Sequence, residues 1–168
     1  MFTAYKAMVV RPLNASAPAE LVNLALARDL GAVSDIFSYP DYEALRNSLH
    51  SFSGLIAYRP AHVTLSFSGS VSQNGATKPE SVLVFVVSEN YFKILGVAAI
   101  QGHTFESIEP SELVAAPSVL ISENYWQSRF SGDPAIVGRT VHLNGLAVNV
   151  IGITPRDFLG TGISAPAF

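Results

Sequence analysis

The chain has 168 residues, no cysteine and a formal net charge of −3. Its hydrophobic fraction is 49% but its charged fraction only 14%, against about 25% in an ordinary soluble domain. This excludes disorder, which needs low hydrophobicity and high charge. Ten basic against thirteen acidic residues give no electrostatic footprint for nucleic acid. Without cysteine there are no disulfides, thiolate metal sites or thiol nucleophiles. The longest apolar runs, residues 82–87 and 95–100, fall short of the about 18 residues of a membrane span.

Residues 2–10 are mostly apolar, interrupted by Lys6, and read as a short helix ended by Pro12. They lack the basic start and small-residue cleavage site of a signal peptide. Residues 20–28 are ambiguous. Val22, Leu24 and Leu26 alternate as in a strand, while Leu21, Leu24 and Ala25 fit a helical period. The clearest helix covers residues 40–50, with Tyr42, Leu45, Leu49 and Phe52 on one face. Ser38 is its expected N-cap, Pro40, Asp41 and Glu43 suit its first turn, and Gly54 is the expected stop. Residues 55–69 carry strand character through Ile56, Tyr58, Val63, Leu65 and Phe67. Gln73-Asn-Gly75 signals a hairpin turn. Residues 81–87 then read as a strand buried on both faces.

An internal echo follows. Ser88-Glu-Asn-Tyr-Phe92 and Ser122-Glu-Asn-Tyr-Trp126 each follow a strand, 34 residues apart. In both, the serine is expected to cap a helix, the glutamate to sit on its positive end, and the aromatics to pin it to a sheet. If Trp126 is fully buried, its loss should cost about 3–5 kcal/mol. Between the copies, Glu106, Glu109 and Glu112 mark an acidic loop. Gly132-Asp-Pro134 is a turn, and Asn144-Gly145 joins a second hairpin, with Val141 and Leu143 alternating in one strand and Val148 and Val150 in the other. The fold class is α+β with mixed or antiparallel sheets and short helices.

No catalytic, cofactor-binding or metal site is assigned. His50, His62, His103 and His142 lack any metal-ligand spacing and read as structural. Gly160-Thr-Gly162 lacks the rest of a phosphate loop and reads as a flexible turn. No nucleophile elbow occurs, and Ser66-Phe-Ser-Gly-Ser70 is turn chemistry. The three glutamates read as solvated, and Asn14-Ala-Ser16 is a chance glycosylation pattern.

The ordered combination of blocks resembles a known family. Ser38-Tyr-Pro-Asp-Tyr-Glu-Ala-Leu-Arg46 with Phe52-Ser-Gly-Leu55 resembles the opening of the MacB-like periplasmic core domain of ABC transporter permeases. Val87-Ser-Glu-Asn-Tyr-Phe-Lys-Ile-Leu-Gly-Val97 with Gly102-His-Thr-Phe105 resembles its next block. Val119-Leu-Ile-Ser122, Tyr125-Trp-Gln-Ser-Arg-Phe130 and Gly132-Asp-Pro-Ala-Ile-Val-Gly138 follow, then Leu143-Asn-Gly145 and Val150-Ile-Gly-Ile-Thr-Pro155. The likeness spans residues 8–160 and is similar in flavour to acidobacterial-type permeases with FtsX-like membrane domains.

The resemblance implies an extracytoplasmic domain with a porter-like αβ part and a sabre-like β-rich part, the middle hairpins in one and the flanking segments in the other. Residues 1–13 would be a membrane-proximal helix stub after a first transmembrane helix, and residues 14–168 the core domain, truncated at its C-terminus. It further implies a non-catalytic role at the bacterial inner membrane, on the periplasmic side, coupling ATPase movements to export without a cofactor. The implied partners are a cytoplasmic ABC ATPase, a second permease copy or half, and a periplasmic adaptor. Two other classes stay open on the residues alone. A ligand-binding or sensor module would show an apolar pocket with convergent polar groups. A small hydrolase would show a histidine within reach of a serine and a carboxylate.

Overall fold

The computed structural model describes residues 2–5, 18–27, 33–34, 36–66 and 79–161. A three-stranded antiparallel sheet joins β1 (Phe2–Tyr5), β2 (Asn23–Ala27) and β3 (Val33–Ser34). The expected helix over residues 2–10 is therefore a strand over its described part, Phe2 opposite Leu26 and Tyr5 opposite Asn23. A lone helix this short is marginal in water, and a partner strand satisfies its backbone groups instead. The same pairing settles the ambiguous residues 20–28: a 3₁₀ turn at Pro18–Glu20 leads into β2.

The first helix, α1 (Tyr39–Ser48), has the expected start. The Ser38 hydroxyl accepts from the Asp41 backbone N–H at 3.3 Å, and the Ser38 N–H donates to the Asp41 carboxylate at 3.1 Å. These two bonds form a reciprocal capping box. The end falls earlier than expected, with Leu49 in extended conformation five residues before Gly54. Tyr42 is the one buried residue of α1, Leu45 and Leu49 are half-buried, and Phe52 lies beyond its end, exposed.

The main sheet has six strands: β4 (Tyr58–Ser66), β5 (Glu80–Val87), β6 (Gln101–Gly102), β7 (Ser118–Ser122), β8 (Thr140–Leu143) and β9 (Leu146–Thr154). β4 pairs antiparallel with β5 along eight residues, and Leu65 of β4 also pairs with Leu143 of β8. The middle hairpin thus shares a sheet with the second hairpin rather than standing apart. β8 and β9 are joined by Asn144 (φ 51°) and Gly145 (φ 81°), the backbone of a tight hairpin turn, as expected. The turn signal at residues 73–75 lies outside the described residues.

β9 is the hub. It pairs antiparallel with β8 and β6 and parallel with β7. Its register against β7 steps from Val119 opposite Val150 to Leu120 opposite Gly152, leaving Ile151 as an extra residue. The extra residue shifts the alternation by one. Val148, Val150 and Ile153 all enter one core, while Ile151 enters another. Neighbouring strand residues point to opposite faces, and Ile121 and Leu120 of β7 are divided the same way. The sheet is therefore covered on both sides. The first core joins Leu65, Val82, Val84, Ile136 and Val141 to β7 and β9, and the second gathers Tyr91, Phe92, Leu95 and Phe158. β5 departs from the two-sided burial expected of it. Val82 and Val84 are buried, but Val86, at the end of the same face, is 54% exposed, and Leu83, Phe85 and Val87 on the other face are only half-buried; β5 ends the strand order.

Next to the Ile151 bulge the backbone of β6 comes so close that a Cβ on Gly152 would lie 2.5 Å from the His103 carbonyl oxygen. Only glycine admits that approach. The acidic segment expected as a loop is largely helical: a 3₁₀ turn at Phe105–Ser107 and α3, Pro110–Ala115, which follows α2 (Tyr91–Leu95). Pro110 at the start of α3 needs no backbone donor there.

The aromatic cluster of the second core is ordered by edge contacts. The Tyr91 and Phe92 rings lie 5.3 Å apart at 89°, and Phe158 lies 6.2 Å from Tyr91 and 5.8 Å from Phe92. The Tyr91 hydroxyl accepts from the Thr161 N–H at 3.0 Å and lies 2.9 Å from the Thr161 hydroxyl. The segment expected as a flexible turn is, up to Thr161, tied to the core. Tyr91→Ala should cost about 3–5 kcal/mol, as a fully buried aromatic does. Tyr91→Phe should cost only about 1–2 kcal/mol, the loss of two bonds with the ring kept in place. Urea midpoints at constant slope check both values.

Candidate functional site: two helix corners on opposite faces of one sheet

The two echoed motifs form strand-to-helix corners, but on opposite faces. α2 carries Tyr91 and Phe92 into the second core, and α4 (Glu123–Phe130) lays Tyr125, Trp126 and Phe130 on the first. Their capping also differs. In the second copy Ser122 caps α4 as expected, its hydroxyl accepting from the Tyr125 N–H at 3.4 Å, with Glu123 in the first turn. In the first copy Ser88 does not cap. Asn90 is the N-cap and makes no side-chain cap bond, and the Tyr91 N–H is taken by the Ser88 carbonyl at 3.0 Å. The reason is a competing partner. Ser88 exchanges two bonds with Ala57, its N–H donating to the Ala57 carbonyl at 2.9 Å and its hydroxyl accepting from the Ala57 N–H at 3.1 Å.

Asn90 is diverted in the same way. Its amide donates to the Leu55 carbonyl at 3.0 Å, and the Tyr42 hydroxyl lies 3.3 Å from that carbonyl and 3.5 Å from the Asn90 side-chain oxygen. Arg46, in the last turn of α1, pairs with Glu89 at 2.7 Å. The first corner thus joins α1, residues 55–57 and α2. α2 closes on Gly96 in left-handed conformation, with the Gly96 and Val97 N–H groups returning to Lys93 and Phe92.

The second corner is held by Trp126, whose indole N–H donates to the Asp133 carbonyl at 2.8 Å. Arg129, in the last turn of α4, reaches Glu80 at the start of β5 at 3.0 Å, and the Tyr125 hydroxyl donates to Glu80 at 3.4 Å. Burial, reinforced by the Glu80 charge, pushes the Tyr125 phenol up to about 12. Burial likewise raises Tyr91. Hydrogen bonds from Ser38 hold the Asp41 carboxyl below its ordinary value. Ser38, Ser122 and the aromatic pairs are legible in the sequence; Glu80 and Arg129, and the use of Tyr42 and Asn90, are not, because each acts on a partner remote in sequence. The available signal was an arginine in the last turn of α1 and of α4, where the dipole favours a cation, and acids at the start of β5 and two residues after its end.

Of the residues singled out for chemistry, the sheet pairs Ser66 of β4 with His142 of β8. His50, His62 and His103 are exposed, on the end of α1, on β4 and after β6; the His103 ring lies 3.1 Å from the Thr104 carbonyl, and His142 is half-buried in β8. Glu106 and Glu109 are exposed. Ser66 ends β4, while residues 67–70 and Asn14-Ala-Ser16 lie outside the described residues. Among the described residues no group of three or more histidines or carboxylates is placed to hold a metal, and no helix is long and apolar enough to cross a membrane. The arrangement joins helices to a sheet; its polar groups are engaged with one another.

The fold is that of extracytoplasmic regions of ABC-type transporters. It is similar to the periplasmic region of MacB from Actinobacillus actinomycetemcomitans, with a TM-score of 0.56 at 16% identity over 73% of this chain and 53% of that one. It is similar also to the extracellular domain of the noncanonic ABC-type transporter YknZ from Gram-positive bacteria, with a TM-score of 0.53 at 16% identity over 75% of this chain and 66% of that one. The chain belongs to the MacB-like periplasmic core domain family, whose model matches residues 3–167. A curated relative, the macrolide export ATP-binding/permease protein MacB of Sodalis glossinidius, is 33% identical over 86 residues, 51% of this chain. The chain spans 13% of that relative's length.

Trp126 is half-buried, not fully buried. Trp126→Ala should therefore cost about 2–3 kcal/mol, less than the about 3–5 of a fully buried aromatic; denaturant unfolding measures it. A second outcome concerns alkaline pH. The folded-state value of Tyr125 lies above the unfolded one, so its contribution is fully present below about pH 10 and is lost as pH rises toward 12. Absorbance titration near 295 nm should show a late-ionising tyrosine that Tyr125→Phe removes.

Proposed function

We propose that this domain is the non-catalytic, extracytoplasmic part of an ABC permease, on the periplasmic side of a bacterial inner membrane. It couples ATPase-driven movements of transmembrane helices to the export of a substrate. Its partners are a cytoplasmic ABC ATPase, reached through a transmembrane region, a second permease copy or half, and a periplasmic adaptor. Residues 1–13 lie nearest the membrane. Family membership over residues 3–167 carries this reading. The name of the Sodalis relative, which combines ATP binding, permease and macrolide export, supports the division of labour.

The geometry supports a transmitting role in a second way. A part that relays motion must move as a body, and close-packed interiors transmit strain because they compress little. Here α2 and α4 are fixed by aromatic side chains to opposite faces of one sheet, and Glu80 of β5 holds Arg129 of α4.

The test has two arms. The isolated chain, titrated with a fluorescent ATP analogue, should show no saturable binding; saturable binding would overturn the division of labour. In the full permease with its ATPase, Trp126→Ala should lower export several-fold while ATP hydrolysis persists. Unchanged export by a variant shown to be destabilised would overturn the transmitting role.

A further inference from the structure

The first corner differs from the rest of the molecule in how it is held. Tyr42 is the one buried residue of α1, whereas β9 buries Val148, Val150, Ile151, Gly152, Ile153 and Thr154. What docks α1 is mostly polar. Arg46 meets Glu89, but the two side chains are 40% and 43% exposed, and exposed ion pairs contribute little. The Tyr42 hydroxyl reaches Leu55 and Asn90 only at 3.3 and 3.5 Å. The connection from α1 to β4 crosses α2 at Gly54, where a Cβ would lie 2.3 Å from the Ile94 side-chain tip. Past that crossing the attachment is firm: Leu55 and Ala57 accept and donate good bonds to Asn90 and Ser88, and Ile56 packs on the second core.

We infer that α1 is a latch-held arm: it undocks from the α2 corner as a unit, with Arg46–Glu89 and Tyr42 as the latch and Leu55–Ala57 as the fixed hinge, while the six-stranded sheet stays folded. Segments with little buried apolar surface and exposed bonds open at lower free energy than the core. The capping box at Ser38 and Asp41 is internal to the arm, so α1 moves with its N-cap intact. This inference stands on burial and bonding alone and does not rest on the transport reading.

Native-state hydrogen exchange of the 168-residue chain tests it. Amides of residues 42–49 should be protected at least about 100-fold less than those of Val150 and Ile153. Arg46→Ala should speed exchange across α1 by about two- to fivefold, the loss of one exposed ion pair, and leave β9 unchanged. Tyr42→Phe, which keeps the ring, should act in the same direction. Equal protection of α1 and β9, or an Arg46→Ala effect that reaches β9 as strongly as α1, would overturn the inference.

Discussion

The structure depends on one irregularity in one strand. β9 receives β6, β7 and β8, and the extra residue at Ile151 lets it supply both cores. A regular strand would place residues 148, 150 and 152 on one face and 151 and 153 on the other. The bulge sends Ile153 to the same core as Val148 and Val150 and leaves Ile151 opposite. It also bends the strand so closely onto β6 that position 152 has no room for a side chain. Bulges of this kind re-aim side chains and end pairing. Here the result is a sheet packed on both faces, with α4 against one core and α2 against the other.

Two-sided packing accounts for the composition. A sheet with one face in water has polar residues at every second position, whereas a sheet covered on both faces reads as near-continuous apolar runs. Residues 118–122 and 146–154 have that character, and Thr154 is the one buried polar residue among those described. A hydrophobic fraction of 49% with 14% charge is what two cores and several half-covered elements require. The scarcity of charge also makes each ion pair informative. Of the ion pairs between described residues, Arg46–Glu89 and Arg129–Glu80 attach a helix to a flank of β5, and Arg139–Asp133 closes the turn after α4.

What was legible in the sequence was local. Ser38 and Asp41 sit within one turn of each other, and Asn144-Gly145 needs only its own backbone freedom, so both the α1 start and the second hairpin were readable. What was not legible depended on distant partners. Residues 2–5 become a strand because residues 23–26 pair with them. Ser88 loses its capping role because Ala57 lies beside it. The echo predicted two anchored helices but not that they lie on opposite faces, since that follows from the adjacent Leu120 and Ile121 pointing apart. Glu80 and Arg129 were invisible for the same reason: their meeting is a property of the sheet, not of either segment.

The two copies of the echo have consequently diverged in kind. In the second, the polar residues serve their own helix, with Ser122 on the Tyr125 N–H and Trp126 on Asp133, seven residues away. In the first, Ser88, Glu89 and Asn90 all face outward to a segment about 30 to 45 residues earlier, and only the aromatics stay with the sheet. Deep burial of Tyr91 and Phe92 makes that exchange affordable, because the ring contacts hold α2 in place without a cap. The same local motif therefore produces a self-contained corner on one face and a docking corner on the other. The difference between them is decided by whether the neighbouring backbone, at Leu55 and Ala57, still needs hydrogen-bond partners.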